Sequence, residues 1–169
     1  MRRSYLFASI LFVAAMLLST VPLNERSVRA QKQTDGHYQY AVKFVCGKSQ
    51  PNPTQQQVVA TGTYFTATNV HNPWSIPVSF TKKFAVALPS EHPGVVSEYF
   101  TTGLKPDQAF EIDCADIFKH LETHPIFLKG FVVIDSPNEL DVVAVYTAAG
   151  STGAVETMDL ERVPARRIP

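Results

Sequence analysis

Apolar and polar residues alternate along much of the chain beyond residue 36, and this period of two predicts half-buried β-strands. The alternation is clearest at residues 37–46, where Tyr, Val, Phe and Cys occupy every second position. Turn-forming residues separate further strands, which are predicted at residues 58–70, 74–88, 95–102, 108–114 and 155–163. The chain is therefore predicted to be all-β.

Two nearly continuous apolar runs, residues 126–135 and 140–147, predict the centre of the sheet. Both are rich in β-branched and aromatic residues, and strands of this kind are usually covered on both faces. Between them, Pro137 suits the second position of a type I turn and Asn138 suits the next. The segment is therefore predicted to form a central β-hairpin.

One short helix is predicted around residues 114–122. Asp113 can serve as its N-cap, and Asp116, three residues later, can complete a carboxylate form of the capping box. Apolar residues follow at helical spacing, and Pro125 disfavours helix at the residue before it.

Seven or eight short strands with one helix predict a two-sheet antiparallel β-sandwich, immunoglobulin-like in size. An immunoglobulin domain would have a Trp about a dozen residues after its first cysteine, but Trp74 lies much farther from Cys46. It would also have a Tyr two residues before Cys114, where this chain has Ile112. We therefore expect the architecture without the family.

Two lysines and the tail are expected at the surface. Lys82 and Lys83 interrupt the apolar pattern of residues 74–88, which predicts an outward or bulged position for both. A small basic cluster near the end is typical of a solvated terminus and consists of Arg162, Arg166 and Arg167.

Residues 1–30 are predicted to be a signal peptide. Arg2 and Arg3 precede an apolar run at residues 6–18, and small residues end the segment at Ala30. Cleavage there would leave residues 31–169 as a single extracytoplasmic β-sandwich domain, periplasmic or secreted, without a stable membrane span. Sec export is favoured over the twin-arginine route, and an uncleaved anchor is the alternative to cleavage.

The net charge limits the classes of partner, and the cysteine content indicates the redox state of the compartment. Residues 31–169 carry 11 Lys and Arg against 14 Asp and Glu, a net charge of −3, which argues against nucleic acid. Cys46 and Cys114 form an even pair in an exported chain, which predicts a disulfide.

The sequence contains none of the common hydrolase, metalloprotease or phosphate-loop motifs, so we expect neither an enzyme nor a cofactor. Glu111 and Asp113 would share one face of a strand and could form an acid/base or calcium pair. Asp113 and Asp116 are better explained by the negative charge that a helix start favours.

A polar loop gives the best candidate ligand site. Its hydrogen-bonding side chains lie close to an aromatic residue, an arrangement that could bind a small polar ligand. The candidates are Asn69, His71, Asn72 and Trp74. The alternative is structural, because Asn and His are also common in tight turns.

Zinc or copper binding is the alternative function. His120 and His124 are spaced to share a helix face, and Cys114 precedes them. His71 or His92 could add a ligand. Against a metal site, Pro125 puts His124 beyond the helix, and a disulfide would remove the cysteine thiolate.

Five segments resemble a group of short, uncharacterised exported bacterial β-rich proteins. They are residues 42–47, 69–73, 111–117, 127–134 and 139–147. The resemblance implies a family without a known activity. The strand pattern alone is also similar to that of small β-sandwich transducer proteins associated with sensory rhodopsins.

Together these patterns predict an exported, non-catalytic β-sandwich that is stabilised by a disulfide. It would bind an unknown protein or a small polar ligand, or associate with itself as a homo-oligomer.

Overall fold

A computed structural model describes residues 36–50, 59–150 and 152–168. Gln33–Pro169 forms one compact unit. The predicted signal peptide, residues 1–30, lies outside the described residues.

Ten β-strands and one α-helix form within the described residues, which confirms the all-β class. The elements are β1 (His37–Ser49), β2 (Gly62–His71), β3 (Val78–Ala87), β4 (Pro93–Val96), β5 (Phe100–Leu104), β6 (Ala109–Ile112), α1 (Cys114–His120), β7 (Phe127–Ser136), β8 (Asp141–Ala149), β9 (Val155–Arg162) and β10 (Arg166–Ile168).

The predicted capping box starts α1. The backbone N–H of Asp116 donates to Asp113 Oδ1 at 2.9 Å, and the N–H of Asp113 donates to Asp116 Oδ2 at 3.2 Å. These two bonds satisfy backbone donors that a helix start leaves without intrahelical partners. The helix ends at His120, slightly before the predicted end.

All strand pairs are antiparallel, and they form one continuous path in the order β4-β3-β7-β1-β2-β8-β9. The three remaining strands lie alongside this path: β5 pairs with β3, β6 with β2 and β10 with β1. An antiparallel sheet is therefore established, whereas its division into two facing sheets stays a prediction.

The predicted hairpin at residues 126–147 is wrong. β7 and β8 both exist, but β7 lies between β3 and β1, and β8 lies between β2 and β9. Each strand thus has antiparallel partners at both edges. The turn between β7 and β8 connects two strands that are separated by β1 and β2 and are not paired with each other. Burial also covers mainly one face of β7, because Phe131 on the opposite face is 39% exposed.

β1 and β2 pair only from Gly47–Tyr64 to Ser49–Gly62 and then diverge. We call this opening the fork. Inside it, the hydroxyl of Thr66 replaces the missing strand: Oγ1 accepts from the N–H of Val45 at 3.0 Å and donates to its carbonyl at 3.1 Å. One side chain therefore satisfies both backbone groups of a residue that the neighbouring strand no longer reaches.

The predicted disulfide closes the fork. Cys46 on β1 is bonded to Cys114 at the start of α1, with their Cα atoms 5.6 Å apart and 68 residues between them in sequence. The Sγ atom of Cys114 also accepts a hydrogen bond from the N–H of Thr66 at 3.4 Å. The bridge thus holds α1 against both diverging strands.

A glycine is required where the fork begins. Gly47 has a φ of +95°, and a Cβ at this position would lie 2.2 Å from the carbonyl oxygen of Ile126. The same carbonyl accepts the N–H of Lys48 at 2.6 Å. Any larger side chain would therefore strain the backbone and displace the start of β7.

The C-terminal tail forms β10, which was not predicted, although Arg166 and Arg167 are exposed as expected for a solvated end. Arg166, Arg167 and Ile168 pair with residues 37–39 of β1. The Arg167 guanidinium lies 5.5 Å from the ring centroid of Tyr38. The position is explained by pairing with β1 and by this cation–π contact, neither of which a local charge count reveals.

Tyr40 connects the buried part of β1 to the segment between β7 and β8. Its hydroxyl donates to the carbonyl of Leu140 at 2.9 Å and accepts from the N–H of Leu140 at 2.6 Å. Burial raises the pKa of Tyr40 to about 12, which the hydrogen bond from Leu140 partly opposes. The neutral phenol is therefore the form that the fold requires.

Removal of the disulfide should destabilise the protein. In the chain-entropy account, a loop of 68 residues contributes about 4 kcal/mol. The double variant Cys46→Ala/Cys114→Ala should lose up to that free energy of unfolding, measured by urea denaturation. Reduced wild-type protein is the matched comparison, and an unchanged unfolding midpoint in both would contradict the role of the bridge.

Tyr40→Phe should lower the free energy of unfolding by about 1–3 kcal/mol at neutral pH, because Leu140 keeps two buried polar groups without their partner. The phenol of the unfolded chain has a pKa near 10.0, so its contribution is complete below that pH and is lost as pH rises toward about 12. The variant should therefore lose less additional stability over this alkaline range.

Chemical denaturation across the pH range measures this difference. Tyr99→Phe is the control, since Tyr99 is an exposed tyrosine. If both variants behaved alike, the Tyr40 hydroxyl would not have the structural role described.

Candidate functional site

The predicted ligand loop is anchored by Asn72, which is completely buried. Its Nδ2 lies within hydrogen-bond distance of the carbonyl oxygens of Ile76, Leu104 and Lys105, at 2.8, 3.2 and 3.1 Å. Its Oδ1 accepts from the N–H of Trp74 at 3.0 Å. Asn72 therefore ties the loop after β2 to the end of β5.

The other three candidates do not all lie in the loop: Trp74 does, whereas Asn69 and His71 are part of β2. The indole of Trp74 donates to the carbonyl of Glu139, which connects the loop to the segment before β8. Asn69 and His71 remain in β2, opposite Val143 and Asp141 of β8. Binding of a small polar ligand by these residues stays a prediction.

His71 belongs to a short charged network. Its Nδ1 lies 3.1 Å from Asp141 Oδ2, and Arg162 Nη2 lies 3.4 Å from Asp141 Oδ1. All three side chains are substantially exposed, so water screens their interactions and each pair contributes little to stability. The network connects β2, β8 and β9 at one end of their shared surface.

The two histidines of the metal hypothesis have different environments. The ring of His120 lies 5.3 Å from that of Phe84 and 4.1 Å from that of Phe100, between centroids. His124 is exposed and follows the end of α1. Cys114 is in the disulfide. Across residues 36–50, 59–150 and 152–168, no group of three or more His, Cys, Asp and Glu residues is placed to hold a metal.

Lys82 was expected at an outward or bulged position, and this expectation is wrong. Lys82 is only 8% exposed. Its Nζ donates to Thr102 Oγ1 at 2.7 Å and lies 5.2 Å from the centroid of the Phe110 ring. The alternation of Val78, Phe80 and Phe84 contained the correct signal, because it places position 82 on the same inward face.

A small cavity of about 100 Å³ joins Lys82 to His120 and Asp116. Burial lowers the pKa of Lys82, and the charge of Asp116 opposes this effect. Burial is also the main reason why the pKa of His120 is lowered; Lys82 and Lys119 lower it further, whereas Asp116 raises it. His120 is therefore a neutral, aromatic member of this cluster at neutral pH.

A larger surface lies on the side of β2, β8 and β9 that faces away from the core. We call it the outer face. The strand register aligns its residues in two rows, Phe65–Thr147–Met158 and Ala67–Val145–Leu160. Phe65, Met158 and Leu160 are 52%, 72% and 66% exposed, so three large apolar side chains on β2 and β9, on either side of β8, are in contact with solvent.

A groove of about 450 Å³ runs between the outer face and α1. Apolar residues form most of its lining, among them Phe65, Val145 and Phe118, while Glu111 and Asp113 add carboxylates. Phe65 and Val145 are on predicted strands and Phe118 is on the predicted helix, but the groove between them could not be predicted, because the position of α1 beside β2 depends on the distant disulfide.

No protein-family model matches the chain. No curated protein matches it either. Among solved structures, the chain is similar to the crystal structure of Thermotoga maritima 1070, with 8% identity and a TM-score of 0.47, over 76% of this chain and 92% of that one.

His120→Phe should reduce the acid sensitivity of the protein. Because burial lowers the pKa of His120 in the folded state, its contribution is present above the usual pKa of 6.5 and is lost as pH falls through the lowered value. Phenylalanine retains a ring between Phe84 and Phe100 but cannot take up a proton.

Urea unfolding at a series of pH values below 6.5 tests this expectation. The variant should lose less free energy of unfolding than the wild type. The exposed control His124→Gln should follow the wild type, and an equal effect of the two substitutions would show that burial of His120 is not the cause.

Proposed function

We propose that the protein is an exported, non-catalytic interaction module whose outer face binds an apolar segment of a protein partner. The observation that supports this proposal is the exposure of Phe65 on β2 and of Met158 and Leu160 on β9, on the same face of the three strands and near an apolar groove. Single exposed apolar residues are common, but a contiguous group beside a groove is typical of an interaction surface.

The lining of the groove favours an apolar side chain as its occupant. Phe65, Phe118 and Val145 contribute apolar surface, and Glu111 and Asp113 contribute polar groups. Protein interfaces commonly combine an apolar centre with a polar rim. A hydrophobic anchor residue of the partner would displace water from the groove, which is a favourable process.

The non-catalytic part of the proposal is supported by how the titratable groups are used. Lys82 and His120 contact aromatic rings, and the cavity beside them, at about 100 Å³, has room for only a few water molecules. Asp113 and Asp116 bond to each other's backbone in the helix cap. These groups therefore have structural contacts that account for their positions without a catalytic role.

Export, a single domain at residues 31–169 and membership of the exported bacterial group belong to the same proposal. The intramolecular disulfide supports an oxidising compartment. In the part of the chain that the structure describes, no helix has the length and apolar character needed to cross a membrane.

The two-sheet sandwich is also part of the proposal. Two contacts between elements that are not paired with each other support it. The Cys46–Cys114 bridge joins β1 to the start of α1, and Phe80 on β3 stacks on Phe110 of β6 at 5.8 Å. In this arrangement the outer face lies on the side of its sheet that is opposite the core.

Phe65→Ser should weaken binding of the apolar probe bis-ANS to the folded protein by roughly tenfold or more, because a buried Phe contributes about 1.5–3 kcal/mol. Fluorescence titration measures the dissociation constant. The matched control is Val95→Ser, since Val95 is 68% exposed but lies on β4, away from the outer face.

Equal probe binding by wild type and Phe65→Ser would contradict the proposed site. Hydrolysis of ester, glycoside or peptide substrates at enzyme-like rates would contradict the non-catalytic role.

A further inference from the structure

A second sheet surface lies on the side of β3, β7 and β1 that faces away from the buried residues of these strands. The strand register aligns its residues across β4, β3, β7 and β1, which are neighbours in that order. The rows are Val96–Ala85–Phe131–Lys43, Lys83–Val133–Ala41 and Lys129–Val45. We call this surface the basic face. It shares no residue with the outer face or with the groove beside α1.

All charges of the basic face have the same sign. The charged residues in its rows are Lys43, Lys83 and Lys129, and every other position is apolar. Both ion pairs found among the described residues belong to Asp141 on β8. None of the three lysines therefore has a described carboxylate within salt-bridge distance, and their charge is available to an anionic partner.

Aromatic rings hold two of these lysines close to the sheet. Lys43 Nζ lies 4.7 Å from the centroid of the Phe131 ring, and Lys83 Nζ lies 4.5 Å from that of Tyr99. Lys83 Nζ also donates to the Tyr99 hydroxyl at 2.7 Å. Burial lowers the pKa of Lys43, and the charge of Lys129 lowers it further. A bound anion would offset this repulsion.

Apolar side chains beside the lysines remain in contact with solvent. Phe131, Tyr99 and Val96 are 39%, 53% and 56% exposed. A soluble anion would use the ammonium groups and leave these side chains in water. An acidic bilayer offers negative headgroups to the lysines and an apolar phase directly below them, and aromatic side chains favour that boundary.

We propose that the basic face binds the surface of a bilayer that contains anionic phospholipids. Lys43, Lys83 and Lys129 contact the headgroups, and Phe131 lies at their boundary with the acyl chains. This surface is separate from the outer face, so the inference goes beyond the proposed function and does not depend on it. Binding is peripheral and reversible, because each lysine contributes only about fivefold to partitioning and salt screens its charge.

Two carboxylates border the basic face and limit its affinity. Asp135 lies in the next row, Thr81–Asp135–Gln39, where its Oδ1 accepts from Gln39 Nε2 at 2.9 Å. Glu98 is exposed in the segment between β4 and β5. Contact with the bilayer is therefore centred on the rows of Phe131 and Val133, where no carboxylate occurs.

Co-sedimentation with vesicles at low ionic strength tests the charge requirement. The full chain should bind phosphatidylcholine vesicles that contain about 30% phosphatidylglycerol, and pure phosphatidylcholine vesicles should not retain it. Lys43→Gln/Lys83→Gln should weaken binding to the anionic vesicles by roughly 25-fold, since two lysines are lost. Lys105→Gln is the matched control, because Lys105 is an exposed lysine beyond the end of β5.

Phe131→Ser distinguishes a bilayer from a soluble polyanion. It should weaken binding to the anionic vesicles by at least about threefold, because the ring no longer enters the apolar phase. Binding to heparin, a soluble polyanion, should not change. Phe65→Ser on the outer face should bind vesicles as the wild type does, and urea unfolding verifies that each variant is folded.

Equal binding to the two kinds of vesicle, or binding to neither, would overturn the proposal. Binding to anionic vesicles that Lys43→Gln/Lys83→Gln left unchanged would overturn the assignment to the basic face. If Phe131→Ser bound anionic vesicles as tightly as the wild type and heparin released both proteins, the partner would be a soluble polyanion and the bilayer would be excluded. The dependence of bis-ANS binding on Phe65 tests the outer face separately.

Discussion

The architecture depends on how buried backbone groups are satisfied where β1 and β2 separate. The two strands pair at three positions and then diverge, so Val45 loses a strand neighbour in a partly buried place. An unpaired buried polar group costs about 1–3 kcal/mol, which is a large part of the stability of a small domain. Thr66 prevents this loss at Val45, and Tyr40 does the same for Leu140 with its own hydroxyl.

The fork also creates the surface on which function is proposed. Because β2 leaves β1, α1 can lie between them, and the Cys46–Cys114 bridge fixes it there. Cys114 and Phe118 of α1 contribute to the groove beside Phe65. The disulfide thus has two structural consequences: it stabilises the diverging strands and it positions one wall of the groove.

Local features of the chain could be predicted from its sequence, and long-range pairings could not. The cap at Asp113 and most strands follow from neighbouring residues, and the disulfide follows from two cysteines in a chain predicted to be exported. The predicted hairpin at residues 126–147 is wrong because the prediction relied on turn-forming residues between the two strands. Each strand instead forms long antiparallel pairs with other strands, β7 with β1 and β8 with β2. Lys82 was misplaced because its charge outweighed a period-two pattern that was correct. The groove and the free edge of β9 required the complete topology.

The two ends of the strand path differ in a way that bears on assembly. β4 is four residues long and begins with Pro93, and both short length and proline hinder pairing at a sheet edge. β9 is longer and exposes Met158 and Leu160, so it is the edge that favours another strand.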